Sequence, residues 1–573
     1  MEGSSGKLFC CRWVCHRVPV AHREELYHIL KMTGPLLLSR ILNYLLPFVV
    51  TMFCGRLGND VMAGYGLASA TINVTTAATG YGLGLACDTL VSQTFGAKNL
   101  LRVGVILQRG IIILLLFCLP CWGLLINAQA ILLCVGQNPE VAMFLHHLQV
   151  SYLQNQGIIL PQMYTAALAN IANVVTNYTF LHWLDLGVGG SAAANTLSQI
   201  YICAFLFAYI WWKKLHVTTW GGWSVESLQD WGSYMKLAIP STLMKCFEWW
   251  VYEFGGFFAG MLSEDELAAQ HAVIMVAFIT YMFPLGIQAA ACARVGNALG
   301  AGDTDRALLT SKMSLTLAGS IAVVEGLVLG SIKTVIGFIF TSDEKIIGLV
   351  SQLMNAYCFL QFFDGLCVCT GIFLGTGKQK IPAVANFIGY YCIGLSLSVT
   401  LTFVAKLRVL GFWLGLLVCV ILQSTFYIIV IFKLNWERIT EEPRLLSPVF
   451  IPGTPTGILV RCSNHLNCSN NLLVFLFCFS QLMDGYMSVS TECQDRTTVA
   501  QDPDAIEKLK GSHLSITQLI LRRGLTMFAA VALLAVGAGV HFLVPLPETL
   551  SAKTNSTFDS INTTYTIHPI YYT

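Results

Sequence analysis

Long apolar runs joined by short polar connections make up most of the chain. A helix of about 20 apolar residues is long enough to cross about 30 Å of hydrocarbon. Runs that cross a bilayer are helical, because lipid offers their backbone groups no hydrogen-bond partner. The pattern predicts twelve membrane spans, at residues 34–54, 66–87, 105–127, 162–184, 187–212, 235–262, 267–292, 313–340, 346–374, 384–404, 409–432 and 524–545.

An internal repeat divides these spans into two halves. TLVSQTFGAKN in the first half aligns with ARVGNALGAGD in the second, which pairs Gln93 with Asn297 and Gly96 with Gly300. Two similar halves in one apolar chain are typical of transporters, with the substrate site at mid-membrane between them. We assign Gln93 and Asn297 a gating or structural role. The predicted domains are an N-terminal bundle at 34–212, a cytoplasmic loop at 213–234 and a C-terminal bundle at 235–436.

The first half is shorter than the second by 17 residues, measured between matching glycine and proline motifs. The segment that remains where a fourth span is expected, residues 141–157, is too short and too polar to be predicted as a span. If it counts as a crossing, all the clusters of basic residues fall on one face, which the positive-inside rule makes cytoplasmic. We therefore predict thirteen helices with helix four truncated, and we interpret the deficit as an omission in the gene model or in splicing.

Composition agrees with a membrane protein that is not an enzyme. Hydrophobic residues make up 55% of the chain and charged residues 11%, whereas soluble domains carry about a quarter charged residues. A net charge of +2 gives no reason to expect a nucleic-acid partner. We expect no metal site and no cofactor, because the extramembrane segments contain no metal constellation, nucleophile elbow or phosphate loop.

The two ends of the chain are predicted to lie on opposite faces of the membrane. Sequons at Asn555 and Asn562 are candidates for glycosylation. The Pro-, Ser- and Asn-rich stretch before the last span has the composition of a disordered linker. The predicted segments are a cytoplasmic N-terminal segment at 1–33, the cytoplasmic linker at 437–520, a final transmembrane helix at 521–545 and an extracellular tail at 546–573.

Charged residues inside span 235–262 are the strongest functional signal. Helical spacing places Lys245, Glu248, Trp249 and Tyr252 on one stripe, with Glu253 beside it. Ionisable groups in a span usually face the bundle interior and mark an ion or substrate path. The alternative is structural, because Lys245 and Glu248 are one turn apart and can neutralise each other.

The functional interpretation rests on desolvation. Burial disfavours a charged carboxylate, so a membrane glutamate can exchange protons near neutral pH, and a cation can compete with the proton. Trp249 and Tyr252 would favour an organic cation through cation–π contacts of ~0.5–2 kcal/mol each. Proton and cation would then be alternative occupants, as in an antiporter. Asp364, in LQFFDGLCVC, is a second carboxylate deep in a span and a candidate for the same role.

Other polar residues within spans allow more than one interpretation. Asp88 is assigned a structural or gating role. Asn170, Asn173 and Asn177 recur along one run, where they either line a polar cavity or form hydrogen bonds between helices. Glu325 lies in a span and has no equivalent in the repeat.

Several motifs together carry a resemblance to a known family. They are PLLLSRILNYLLPFVVTMFCGRLGN, ACDTLVSQTFGAKN, YLQNQGIILPQ, KCFEWWVYEFG, RVGNALGAGD and LGTGKQK. This set resembles the multidrug and toxic compound extrusion (MATE) family, specifically its vertebrate organic-cation/proton exchangers. The likeness covers residues 25–437 and the final helix.

The resemblance implies two six-helix bundles that form a V-shaped cavity, with one added C-terminal helix. It implies efflux of organic cations and drugs in exchange for protons, driven by the proton gradient, by a monomeric unit in the plasma membrane. Glu248, Glu253 and Asp364 match the family's essential acidic residues. The substrate-contacting positions that we assign are Trp249, Tyr252, Cys54 and Asn170.

Three departures from the family pattern bear on activity. Met275 stands where the family has a further carboxylate, and Lys245 stands where it usually has an apolar residue. The truncated helix four is expected to open one wall of the N-terminal bundle. The alternatives to a working antiporter are a transport-incompetent variant, a lipid flippase of related architecture, and a receptor or structural membrane protein whose charges only hold helices together.

Overall fold

The described part of the chain is helical. A computed structural model describes residues 19–57, 72–126, 139–184, 187–341, 343–366, 368–446 and 516–543. These residues contain no β-strand. Eight of the described helices are long and apolar enough to cross a membrane, which agrees with the predicted all-α integral membrane fold. The total of thirteen spans stays a prediction.

The first half contains six helices within the described residues, two of them extended by π-helical turns. In chain order they are α1 (Val20–Leu57), α2 (Ala78–Gly96, preceded by a π-helical turn at Asn73–Ala77), α3 (Leu100–Ile126), α4 (Pro139–Asn155), α5 (Leu160–Tyr178, followed by a π-helical turn at Thr179–Trp183) and α6 (Gly187–Trp212).

The second half repeats this plan and is followed by two more helices. In chain order the described helices are α7 (Trp231–Leu262), α8 (Glu264–Ala301), α9 (Thr304–Ile332), α10 (Glu344–Thr376), α11 (Lys380–Val404), α12 (Val409–Lys433), α13 (Trp436–Leu446) and α14 (Ile516–Leu543). Helix α10 consists of two pieces, Glu344–Gly365 and Val368–Thr376. Helix α11 alternates α-helical and π-helical turns.

The predicted linker at 437–520 is helical at both ends. Helix α13 occupies its first residues because Trp436 and Ile439 are buried in the core of the second half. Helix α14 begins at Ile516, ahead of the predicted start of the last span. The rest of the linker, the tail with Asn555 and Asn562, and most of the N-terminal segment lie outside the described residues.

The two halves meet in a reciprocal crossing of α2 and α8. A Cβ atom on Gly96 would lie 2.1 Å from the carbonyl oxygen of Asn297, and one on Gly300 would lie 1.9 Å from that of Gln93. Only glycine allows the backbones to come this close. Since these residues are the pairs that the repeat aligned, the contact has the symmetry expected of two copies of one unit.

The side chains at this crossing also form a reciprocal pair of hydrogen bonds between the two halves. The Gln93 amide donates to the carbonyl oxygen of Gly375 at 2.9 Å, and the Asn297 amide donates to that of Asn155 at 3.2 Å. Each half therefore bonds to the end of the fourth helix of the other half. This arrangement fits the structural role predicted for Gln93 and Asn297, while gating by them stays a prediction.

Helix α4 closes the wall that the sequence predicted to be open. It contains 17 residues, a length of about 25 Å at 1.5 Å per residue. Phe144, Leu148 and Leu153 are buried in the core of the first half. The expectation of an open wall is therefore wrong along the length of α4, because the residues that remain keep an apolar face that packs against α2, α3 and α6.

The final helix packs on the first half. A Cβ atom on Gly537 would lie 2.3 Å from the carbonyl oxygen of Gly123 in α3. At the other end of α14, the Arg523 guanidinium donates to the carbonyl oxygen of Leu228 at 2.7 Å and lies 4.2 Å from the ring centroid of Trp231. The added helix is thus held by the first bundle and by the connection between the bundles.

A buried ion pair joins the two halves at the face that carries the clusters of basic residues. Glu25 of α1 is 4% exposed and accepts two hydrogen bonds of 2.6 Å from Arg294 of α8. Thr310 of α9 donates to the same carboxylate at 2.7 Å, and Arg306 lies 3.6 Å from it. Burial alone would raise the pKa of Glu25, but the hydrogen bonds and charges of these partners outweigh it and lower the pKa.

We expect Glu25→Gln to destabilise the protein by about 3–5 kcal/mol at neutral pH, because it leaves the Arg294 guanidinium without its charged partner. The pKa of Glu25 is lower in the folded protein than its unfolded value of 4.5. The ionised carboxylate therefore contributes its full stability above pH 4.5, and this contribution is lost as the pH falls through the pKa of the folded state. Thermal unfolding of the purified unmodified protein and of Glu25→Gln, at neutral and acidic pH, measures the loss of stability and its dependence on pH. Glu24→Gln, at an exposed neighbour, is the control, and an equal effect of both changes would contradict the prediction.

Candidate functional site

Glu248 is held by two partners in the interior of the second half. The ammonium group of Lys245 lies 3.0 and 2.9 Å from its two carboxylate oxygens. The hydroxyl of Tyr281, on α8, donates to the same carboxylate at 2.6 Å. Lys245 is 2% exposed and Glu248 is 9% exposed. The sequence left open whether this lysine and this glutamate pair, and the structure shows that they do.

Asp364 lies next to this pair, at the end of the first piece of α10. Glu248 and Asp364 line one cavity, together with Phe363, Leu366, Thr370, Asn386, Tyr390, Val420, Gln423, Ser424 and Tyr427. No hydrogen bond or ion pair from a described residue reaches the Asp364 side chain. Of the two carboxylates, Asp364 is therefore the one without a hydrogen bond or ion pair to a described residue.

The cavity is small in this conformation and is lined by aromatic rings. The space open to water is about 20 Å³, which is room for about one water molecule. Phe363, Tyr390 and Tyr427 supply ring surface beside the two carboxylates. These rings offer cation–π contacts, although the sequence had pointed to other aromatic residues for this purpose.

A hydrogen-bonded cluster that the sequence analysis missed supports the floor of this cavity. The Asn386 amide donates to the carbonyl oxygen of Met244 in α7 at 2.8 Å. Its carbonyl oxygen accepts from Gln423 and from the hydroxyl of Tyr427. The cluster ties α11 and α12 to the helix that carries Glu248. A single asparagine in an apolar run was the available sequence signal.

Trp249 and Tyr252 are not among the residues that line this cavity, and substrate contact by them stays a prediction. The Trp249 ring stacks on Tyr81 of α2, with centroids 5.7 Å apart, and so faces the first half. Tyr252 packs against the core of the second half. Residues one position apart on a helix differ in direction by about 100°, which is enough to direct Glu248 and Trp249 into different halves.

Glu253 is separated from the other two acidic residues. Its side chain is exposed, and no hydrogen bond or ion pair from a described residue reaches it. Five positions after Glu248, it projects from a different face of α7. The structure therefore brings together Glu248 and Asp364 and leaves Glu253 apart, and a role for Glu253 in coupling stays a prediction.

Two of the three asparagines in α5 bond to α1, whereas Asn177 donates to Asn173 within α5. The Asn170 amide donates to the carbonyl oxygen of Leu42 at 2.8 Å. The Asn173 amide donates to the carbonyl oxygen of Leu46 at 3.3 Å. The structure thus supports the interhelical interpretation for Asn170 and Asn173, and substrate contact by Asn170 stays a prediction. Cys54 lies in the last turns of α1, and its side chain is outside the described residues.

Asp88 and Glu325 each bond to one amide. Asp88 is buried in α2 and accepts from the Asn155 amide of α4 at 2.7 Å, which fits its predicted structural role. Glu325 of α9 accepts from the Gln361 amide of α10 at 2.5 Å. Met275 accepts from the hydroxyl of Tyr44 in α1 at 3.5 Å, so it lies between the two halves rather than in the cavity.

Comparison with known proteins gives one consistent result. The family model described as MatE matches residues 35–179 and 240–400, more than half of the chain. Multidrug and toxin extrusion protein 1 of Danio rerio is 45% identical over 560 residues, covering 94% of this chain and 94% of that protein. The Homo sapiens protein of the same name is 42% identical over 545 residues, covering 91% and 94%.

Solved structures show the same fold. A eukaryotic MATE transporter, AtDTX14, aligns with a TM-score of 0.69 at 24% identity over 74% of this chain and 99% of that chain. The Vibrio cholerae MATE transporter VcmN aligns with a TM-score of 0.63 at 16% identity over 73% of this chain and 100% of that chain. The chain therefore belongs to the MATE family of multidrug and toxic compound extrusion transporters, and it is similar to the vertebrate members over most of their length.

Proposed function

We propose that this chain is a proton-coupled antiporter that exports organic cations, drugs and toxins across the plasma membrane in exchange for protons. The observation that carries the proposal is the cavity of the second half. It combines the Asp364 carboxylate, which no described residue neutralises directly, with the rings of Phe363, Tyr390 and Tyr427. Similarity to the multidrug and toxin extrusion proteins supports the same substrate class.

The exchange follows from the cost of an ionised group in a membrane interior. A charge there is unfavourable unless an opposite charge or a proton neutralises it. Asp364 is thus neutralised either by a proton or by the positive group of a substrate, and one occupant must leave before the other enters. If the cavity opens to each side of the membrane in turn, a proton entering with its gradient expels the cation against the cation's own gradient.

Transport on this scheme requires a change of conformation. A cavity with room for about one water molecule has to enlarge to admit an organic cation. We place the N-terminus in the cytoplasm and the C-terminal tail outside, following the distribution of basic residues. The proton gradient is the only energy source in this scheme, and one chain is a complete transport unit.

Uptake of labelled tetraethylammonium into cells that express the chain tests the proposal. An outward proton gradient should drive uptake, and removing the gradient with an ionophore should abolish it. Surface labelling of the protein controls for its abundance. If the chain reaches the surface at normal levels and gives no gradient-dependent uptake above that of untransfected cells, the proposed function is wrong.

A further inference from the structure

Lys245 is a buried cation within the proposed cation site. Lysines in membrane helices usually extend their long side chains toward the interface, where the ammonium group reaches water. Here the side chain is 2% exposed, and its ammonium group contacts both carboxylate oxygens of Glu248 within 3.0 Å. The lysine therefore stands where the positive group of a bound substrate would otherwise meet this carboxylate.

Among the residues that the structure describes, the charges that face the cavity add up to a single negative charge. Lys245 and Glu248 cancel each other, and Asp364 remains. The other titratable side chains near them include the phenols of Tyr252, Tyr281, Tyr357, Tyr390 and Tyr427, which are neutral in their ordinary state. Ionised Glu248 and Asp364 without the lysine would give the same cavity two negative charges.

We infer that Lys245 determines specificity, as a tethered cation that occupies Glu248 and so restricts the cavity to substrates with one positive charge. The inference rests on the proposed function and adds a substrate class to it. A monovalent cation is matched by Asp364. A divalent cation would bring a second charge into low-dielectric surroundings, where it would remain unpaired and close to the lysine.

The first test compares two probes in the full-length chain, tetraethylammonium with one charge and hexamethonium with two. Lys245→Met removes the tethered charge and keeps an unbranched side chain. Inhibition by hexamethonium should strengthen at least about tenfold more than inhibition by tetraethylammonium, because a favourable pairing with Glu248 replaces a repulsion. Lys236→Met, at an exposed lysine of the same helix, is the matched control and should shift neither value.

The second test uses Glu248→Gln alone and combined with Lys245→Met. The single change leaves the lysine charge uncompensated, so tetraethylammonium uptake should fall at least about tenfold at equal surface abundance. The double change removes both charges, and it should recover most of that loss while the chain still excludes hexamethonium. The double variant also keeps the test decisive if Lys245→Met alone fails to reach the surface, because it removes both charges of the pair and leaves neither of them uncompensated.

The outcomes separate this inference from the proposed function. If the unmodified chain does not transport tetraethylammonium, the proposed function fails. If it does transport it, but Lys245→Met shifts both probes equally or shifts neither, the inference is overturned. It is also overturned if the double variant is as inactive as Glu248→Gln, since Glu248 would then bind the substrate or the proton itself.

Discussion

Asp364→Asn should abolish gradient-driven cation uptake without removing the protein from the cell surface. The amide has nearly the same shape as the carboxylate, but it neither pairs with a cation nor takes up and releases a proton. No described residue makes a hydrogen bond or ion pair with the Asp364 side chain, so the change breaks no such bond within the described part of the chain. The initial rate of tetraethylammonium uptake should fall by about two orders of magnitude, the scale of a lost, desolvated charge interaction.

Two control variants make this result specific. Asp364→Glu keeps the charge and should keep measurable uptake. Asp305→Asn makes the same chemical change at an exposed position in the first turn of α9 and should have no effect. Uptake by Asp364→Asn within about threefold of the unmodified chain, less than 1 kcal/mol, would show that another group carries the exchange.

Gly300→Ala should prevent the two halves from packing. The new methyl group would lie 1.9 Å from the carbonyl oxygen of Gln93, which is backbone and moves only if the whole of α2 shifts. Forcing extra volume into a packed interior costs about 1–3 kcal/mol, and more where the obstacle is rigid. We expect a lower thermal midpoint and a large loss of mature protein at the surface.

Gly330→Ala is the matched control for this change. Gly330 also lies within a helix of the second half, and a Cβ atom there would meet nothing within 4 Å. Alanine has the higher helix propensity, so this variant should be at least as stable as the unmodified chain. Equal thermal midpoints for the two variants would contradict the close crossing of α2 and α8.

Hydropathy predicted the positions of the helices better than their ends. The first span was predicted to begin at residue 34, whereas helix α1 begins at Val20. The helix continues beyond the apolar run because Glu25, in the added turns, bonds to α8 and α9. The division of α10 into two pieces leaves no mark on hydropathy. The length of an apolar run reflects the thickness of the hydrocarbon layer, whereas tertiary contacts decide how far a helix continues beyond it.

The repeat predicted the contact between the halves but not the site. The glycines of the repeat point directly to a close crossing, because only a close approach requires glycine at matched places. The pairing of Lys245 with Glu248 was one of two predicted alternatives, since both residues lie on one helix. By contrast, the approach of Asp364 to Glu248 depends on how α7 and α10 pack, which one sequence does not reveal.

Proton movement by the purified chain tests proton–cation exchange at Asp364 most directly. Liposomes that contain the protein, an acidic interior and a pH-sensitive dye should release protons when tetraethylammonium is added outside, and labelled cation should accumulate inside as they do. Asp364→Asn liposomes should show neither change. Cation accumulation without proton release, or proton release of equal size from the Asp364→Asn protein, would contradict exchange at this carboxylate.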